Sequence, residues 1–344
     1  MHARYVKYIL QFKRPGGTSR GILHTKETWF LILEDQGKQG VGECALFRGL
    51  SADDRPDYEA KLLWVCKNIT LGKEKLLEQL NDLPSIRFGL EQAFLTLENQ
   101  GSFQLFPSDF TLGKADIPIN GLIWMGSEAF MKEQIEAKLK EGFTTLKLKI
   151  GAIDFEAELG LLRFIRNNFK AGDIEIRVDA NGAFSPDEAL GKLKRLSDFD
   201  LHSIEQPIQA GHWQEMAALC EQTPLPIALD EELIGIYGDE DKETLLRTIQ
   251  PQFIILKPAL IGGFESSEQW IRVAEKYNAG WWITSALESN VGLNAIAQFT
   301  GSRGVTMPQG LGTGGLFTNN FESPLEVNQG FLHFNQAKQW DFNL

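Results

Sequence analysis

TLKLKI at Thr145–Ile150 and EIRVDA at Glu175–Ala180 are two short runs in which apolar residues are interleaved with charge. Successive side chains of a strand point to opposite faces, so Lys147 and Lys149 share one face while Leu146, Leu148 and Ile150 share the other. Five more short apolar runs follow the same plan at Ile119–Trp124, Ser203–Gln206, Ile227–Asp230, Phe253–Lys257 and Trp281–Ser285. Helical stretches such as Glu128–Glu141 and Glu265–Tyr277 lie between them, and strands alternating with helices are the pattern of βαβ units around a parallel sheet. With a short eighth candidate at Gln309–Gly312, there are enough strands to close a TIM-type barrel, whereas an open doubly wound sheet more often stops at about five or six.

The first hundred residues read differently. Tyr5–Lys13, Thr28–Glu34 and Gly40–Ala45 look like strands, and Asp57–Gln79 and Ser85–Glu98 like helices. Strands first and helices afterwards indicate a separate small α+β domain. Gly101–Asp116 carries Gly, Pro, Ser and Asp without helical period, which places a boundary there.

Composition removes several function classes. The 344 residues carry 34 basic and 46 acidic side chains, a formal charge of −12 that repels phosphate backbones and anionic lipid, so neither nucleic acid nor a membrane is an expected partner. Cys44, Cys66 and Cys220 form no CxxC pair, which argues against a disulfide framework or zinc cluster and fits a reducing cytoplasm. Met1–Lys13 is mixed polar and apolar, unlike a secretory signal. No apolar run reaches the roughly 18 residues of a membrane span.

The charges on the strands are the informative feature. Lys149, Asp179, Glu205, Asp230 and Lys257 follow one another at intervals of 30, 26, 25 and 27 residues, one per βα unit near each strand's carboxyl end. In a parallel barrel those ends share the face that carries the active site. Any one of them alone reads as a helix cap or solvated loop charge. Jointly that reading fails, because two lysines facing a barrel interior are costly unless carboxylates or a ligand compensate them. Asp179, Glu205 and Asp230 form an all-oxygen set with no Cys or His nearby, which favours a hard cation such as magnesium. With Lys147 and Lys149 on one flank and Lys257 on the other, the arrangement suits removal of a proton next to a carboxylate.

The order KxK, D-x-N, E-Q-P, D-E and K-P on successive strands resembles the enolase superfamily in its muconate-lactonising subgroup, whose Lys bases and magnesium are a known pairing. The resemblance spans nearly the whole chain. It implies a modified (β/α)7β barrel at 111–320, an N-terminal α+β capping domain at 1–110, and a tail from about 321 to 344 that packs back on the cap. Ser285–Thr300 (SALESNVGLNAIAQFT) and Gln309–Asn320 (QGLGTGGLFTNN) resemble those members that dehydrate 2-succinyl-6-hydroxy-2,4-cyclohexadiene-1-carboxylate.

Carried over residue by residue, the resemblance implies magnesium, with manganese as a substitute, held by Asp179, Glu205 and Asp230. It implies Lys149 as the base that then protonates the departing hydroxyl, Lys147 assisting beside it, and Lys257 as the cation on the opposite face. Asn181 and Glu231 are expected to orient Lys257 and the ligand set, and Ser285, Glu288 and Gly312 to lie around the substrate. Specificity is expected partly from cap loops at Arg14–Arg20 and Ala45–Leu50, with Pro15–Thr18 a mobile turn and Arg14, Arg20 or Arg48 available to a second carboxylate. The expected partner is a small carboxylate substrate, with further copies of the same chain compatible.

Two other readings fit parts of the same pattern. A racemase of N-acylamino acids or an epimerase of dipeptides would use the same flanking lysines, yet the Asp-x-Asp that dipeptide epimerases usually carry near the last strand is missing here. A non-catalytic barrel used for binding is the other, and retention of three acids and three lysines argues against it. Gly310, Gly312, Gly314 and Gly315 suit either a carboxylate or a tight turn. His2, His24, His202, His212 and His333 show no HxH or HExxH spacing, His202 reads as a packing or capping residue, and LGTGG lacks the context of a dinucleotide loop. Trp281 and Trp282 read as core, and Phe88, Phe94, Phe331 and Phe334 as interdomain filling.

Overall fold

The structure, a computed structural model, describes residues 1–18 and 21–344. It opens on an antiparallel meander of β1 (His2–Thr18), β2 (Gly21–Asp35) and β3 (Lys38–Cys44). Thr28 to Leu33 of β2 are buried without interruption, because both faces of this sheet are covered. Trp29, Leu31 and Leu33 enter the cap's own core, whereas Phe30 and Ile32 pack with Phe321 and the C-terminal Trp340 and Phe342. Helices α1 (Tyr58–Lys67), α2 (Lys73–Glu78) and α3 (Pro84–Glu98) close the first face.

Two expectations for this region need correction. The single helix read over Asp57–Gln79 is two, separated by a 3-10 turn at Ile69–Leu71 and by Gly72 at φ +85°, a conformation that interrupts α-helix and that glycine adopts without a Cβ clash. Pro15–Thr18, read as a turn, belongs to β1, with Gly16 paired to Leu23 and Gly17 to Ile22 after a register shift. Gly17 lies flat on the barrel, since a Cβ there would stand 2.3 Å from the Met125 carbonyl oxygen.

Sheet and α3 approach through glycine on both sides. A Cβ at Gly42 would sit 1.9 Å from the Gly89 carbonyl oxygen, and one at Gly89 would sit 2.3 Å from Cys44 Sγ. Gly42→Ala is therefore expected to destabilise the fold by about 1–3 kcal/mol through overpacking, read as a lower denaturation midpoint.

After β4 (Ile117–Pro118) the chain alternates as β5 (Gly121–Ile123), α4 (Glu128–Lys140), β6 (Thr145–Lys149), α5 (Phe155–Asn168), β7 (Glu175–Asp179), α6 (Pro186–Ser197) and β8 (Ser203–Glu205). It continues as α7 (Trp213–Gln222), β9 (Ile227–Leu229), α8 (Asp239–Ile249), β10 (Phe253–Leu256), α9 (Pro258–Ile261), α10 (Gly263–Lys276), β11 (Gly280–Ile283) and α11 (Asn290–Gly301). The strands β5 to β11 form one parallel sheet in chain order. Its side chains toward the helices, such as Leu146, Leu148, Ile176, Val178 and Ile204, make the main core. Asp154 starts α5 by accepting hydrogen bonds from the Glu156 and Ala157 amides at 3.0 and 3.3 Å.

The seam between β11 and β5 is closed by Gln309 and Gly310, which bridge to Ile119 and Thr284 respectively. The eighth strand is thus shorter than the Gln309–Gly312 expected, because residues 312–315 turn away. The first barrel strand also shrinks from Ile119–Trp124 to Gly121–Ile123, and Ile117–Pro118 pairs instead with β13 (Phe331–Phe334), the partner of β12 (Leu325–Asn328). Among the four phenylalanines read as interdomain filling, Phe88 does meet the barrel's Phe264 at 5.4 Å. Phe94 belongs to the cap's own core, Phe334 meets Phe110, and Phe331 is exposed at the hairpin. No helix among the described residues is long and apolar enough to cross a membrane.

Candidate active site at the carboxyl ends of the barrel strands

Strand register puts the charged residues in a row. Lys149 pairs with Asp179, and Asp179 with Glu205, across β6, β7 and β8. Parallel neighbours in register point the same way, so all three face the barrel interior. Asp230 follows the end of β9 and Lys257 the end of β10, which brings them to the same opening.

The carboxylates are almost entirely buried, with Asp179 at 0%, Glu205 at 2% and Asp230 at 2% exposure. Lys147 Nζ lies 3.0 Å from Asp179 Oδ2 and also pairs with Glu205. Lys149 Nζ donates to Asp179 Oδ2 at 2.9 Å and to Asn181 Oδ1 at 2.8 Å. Lys257 pairs with Asp230 and stands 4.0 Å from Glu205 Oε1. Asn181 Nδ2 donates to Glu231 Oε1 at 3.0 Å and its backbone amide to Asp179 Oδ1 at 3.0 Å, so Asn181 meets the expected ligand set at Asp179 and orients Lys149 directly, Lys257 being paired with Asp230 instead.

Burial and mutual charge set the proton affinities. Burial alone would raise the Asp179 carboxyl, but Lys147 and Lys149 hold it well below the usual carboxylate range. Glu205 is pushed the other way, up, by its burial and by Asp179 beside it. For Lys147, burial is outweighed by Asp179 and Glu205, and for Lys257 by Asp230 and Glu205, so both ammonium groups are held more firmly than an exposed lysine.

Lys147, Lys149, Asn181, Glu231 and Lys257 line one wall of a cavity of about 300 Å³. Ser285, Ala286, Leu287, Gly310, Gly312 and Thr313 line another, and the cap contributes Arg14, Phe47 and Leu50. Ser285 and Gly312 therefore line the same cavity as the lysines. Glu288 does not: it is fully buried away from the cavity, its Oε2 accepting the Ala286 amide at 2.8 Å. Arg48 is tied to Glu27 and Asp54 on the cap surface, and Arg20 lies outside the described residues. The glycine-rich segment turns without any left-handed glycine at residues 310–315, and Gly310 is needed because a Cβ would stand 2.0 Å from Thr284 Oγ1.

Three contributors were missed in the sequence. Gln206, in the left-handed region at φ +39°, accepts the Asp230 and Glu232 amides at 3.2 and 3.3 Å and so fixes the carrier of Asp230. Asn120 lines the cavity with a buried Oδ1 that has no hydrogen-bond partner. Arg177, also buried, stacks 4.5 Å from the Trp282 ring and donates to the Pro308 carbonyl at 2.8 Å, plugging the barrel on the side away from the acids. The inward position of Arg177, two before Asp179, was the available signal for it.

A hard divalent cation fits the donor chemistry. Three buried carboxylates from adjacent strands offer only oxygen, and neither Glu205 oxygen receives a well-formed hydrogen bond. Among the described residues no three such groups are gathered around one point. The Lys147 and Lys257 ammonium groups contact neighbouring carboxylates and supply the compensating charge.

Comparison with known proteins follows the same lines. The family model described as enolase C-terminal domain-like matches residues 130–338. An o-succinylbenzoate synthase from Desulfotalea psychrophila is 50% identical over 96% of this chain and 98% of its own length. The crystal structure of MenC from the same organism superposes with a TM-score of 0.86 at 47% identity, covering 97% of this chain and 99% of that one. A dipeptide epimerase from Enterococcus faecalis, solved with Mg and the dipeptide L-Leu-L-Tyr, shares the fold at a TM-score of 0.83 and 18% identity, over 97% of this chain and 96% of its own.

Proposed function

The chain belongs to the enolase superfamily, and from its likeness to an o-succinylbenzoate synthase we infer that it acts as one, a hydro-lyase of menaquinone biosynthesis. The reaction removes water from 2-succinyl-6-hydroxy-2,4-cyclohexadiene-1-carboxylate to give aromatic 2-succinylbenzoate. The observation that carries this reading is identity at half of the aligned positions over nearly the full length of both chains.

Asp179, Glu205 and Asp230 would hold magnesium, or manganese in its place, and the bound ion supplies positive charge for the substrate carboxylate and for the enolate that develops on it. Lys149 takes the proton from the ring carbon bearing the carboxylate, and Asn181 and Asp179 aim its amine. The hydroxyl on the neighbouring ring carbon leaves from the same face and takes that proton from Lys149, so hydrogen and hydroxide depart together as water. Lys257 approaches from the other side, paired with Asp230, and its charge stabilises the enolate without moving a proton. Lys147 neutralises Asp179 and Glu205 and reaches the substrate carboxylate. Ser285 and Gly312 face the rest of the substrate. We place the reaction in the cytoplasm, in keeping with three free cysteines.

Lysines on two sides also suit a 1,1-proton transfer, which keeps N-acylamino acid racemisation as a second reading. Dipeptide epimerisation is less well supported, since the wall at residues 310–316 reads GLGTGGL and offers no carboxylate to a substrate ammonium. The test supplies the cyclohexadiene carboxylate or an N-succinylamino acid with magnesium in deuterium oxide and follows both by proton NMR. Appearance of 2-succinylbenzoate is expected. Its absence, with deuterium entering the amino-acid α-position, would replace the first reading by the second.

A further inference from the structure

Glu288 sits three residues beyond Ser285 in a joint between cap and barrel. The turn it follows, Ser285–Ala286–Leu287, is cavity wall throughout. Leu287 is held in the left-handed region at φ +62°, which a branched side chain avoids unless its surroundings impose it. Two things impose it here. The Leu287 side chain packs with Leu10 of β1 and Phe317, and the Glu288 carboxylate turns back to accept the Ala286 amide.

The cap grips the next two turns of the same segment. Glu43 on β3, fully buried, accepts the Ser289 amide at 2.9 Å and the Ser289 hydroxyl at 2.6 Å, together with the Gly292 amide at 2.9 Å. Thr28 Oγ1 on β2 holds the same carboxylate at 2.8 Å. A Cβ at Gly292 would stand 2.8 Å from Glu43 Oε2 and 2.9 Å from Glu288 Cβ, so this glycine permits the approach. Lys26 on β2 is buried without a hydrogen-bond partner for its ammonium, facing the charges of Glu43 and Glu288.

We propose that Glu288 is a positioning residue, which with Glu43 and Lys26 of the cap fixes the Ser285–Leu287 wall and so makes substrate affinity depend on cap and barrel being locked together. The proposal rests on the dehydratase reading of the cavity. Gln has the same length and keeps an oxygen able to accept the Ala286 amide, so Gln should replace Glu288.

Glu288→Ala should raise KM about 10-fold with kcat within about threefold, since a wall that holds ground and transition states alike acts on binding. Amide exchange at Ala286 should quicken at least about 10-fold on loss of its acceptor, magnesium affinity should stay as in the wild type, and Glu288→Gln should restore both KM and exchange. Glu288→Asp, which keeps the charge and withdraws it by one methylene, should show the same faster exchange if the alanine variant does not fold. Unchanged Ala286 exchange in a folded variant, or a fall in kcat alone, would overturn the proposal. A wild-type protein that fails to dehydrate the substrate overturns the dehydratase reading instead, and the exchange measurement still decides the role of Glu288.

Discussion

Replacing Lys149 by Ala is expected to lower turnover of the cyclohexadiene carboxylate by about 10³-fold or more and to abolish exchange of its α-proton with solvent. Among the described residues, the two other lysines of the cavity are each held against carboxylates. Lys147 Nζ is held between Asp179 and Glu205, where burial is outweighed by the two carboxylates and the proton is retained. Lys257 lies on the opposite flank against Asp230. The substitution also leaves Asp179 paired to Lys147 at 3.0 Å, so the site's framework survives.

Lys257→Ala should behave differently. It removes a charge from beside the developing enolate, which costs about 10²–10³-fold in turnover, yet slow α-proton exchange should persist because Lys149 remains. Proton NMR in deuterium oxide with magnesium, on variants whose circular dichroism matches the parent, separates the two. Full activity in Lys149→Ala would remove it as the base. Loss of exchange only in Lys257→Ala would mean the base stands on the other face.

Asp179→Asn, Glu205→Gln and Asp230→Asn should each weaken magnesium binding by more than about 100-fold, because even partners one layer outside a metal site cost about 10–100-fold and these would be the ligands themselves. Activity should fall with affinity and recover in part at high magnesium. Asp179→Asn carries a further consequence, since it withdraws the anion shared by Lys147 and Lys149. Breaking such a buried pair typically costs about 3–5 kcal/mol of stability, so this variant is also expected to be the least stable of the three. Calorimetric titration and thermal unfolding read the two effects separately. Magnesium affinity equal to the parent in all three would take these residues out of the metal site.

The row Lys149, Asp179, Glu205 was legible in the sequence because strand period and strand spacing are both local: alternation fixes which face a residue takes, and one βα unit of about 25–30 residues returns the chain to the same barrel end. The helix read over Asp57–Gln79 failed at Lys67, where α1 ends ahead of the 3-10 turn at Ile69–Leu71 and of Gly72 at φ +85°. Periodicity carries no information about one dihedral.

Gln206 and Glu288 mark a second boundary. Gln206 stood inside the recognised E-Q-P run, but its hold on the Asp230 and Glu232 amides spans 24 and 26 residues. Glu288 stood inside SALES and read as a group around the substrate, whereas the cap charges that face it, Lys26 and Glu43, lie more than 240 residues away in the chain. Their polar character was visible; their burial was not.

The sequence by itself determined the barrel, the cap, the lysine and carboxylate row and the kind of chemistry these permit, because each depends on spacing along one chain and on residue type. Only the tertiary structure decided which amine Asn181 aims, where the first and last barrel strands stop, and that the cap reaches through Glu43 to hold the cavity wall. Those outcomes turn on which groups, distant in sequence, are pressed together without water, and burial of that kind is settled by the packing of the whole fold.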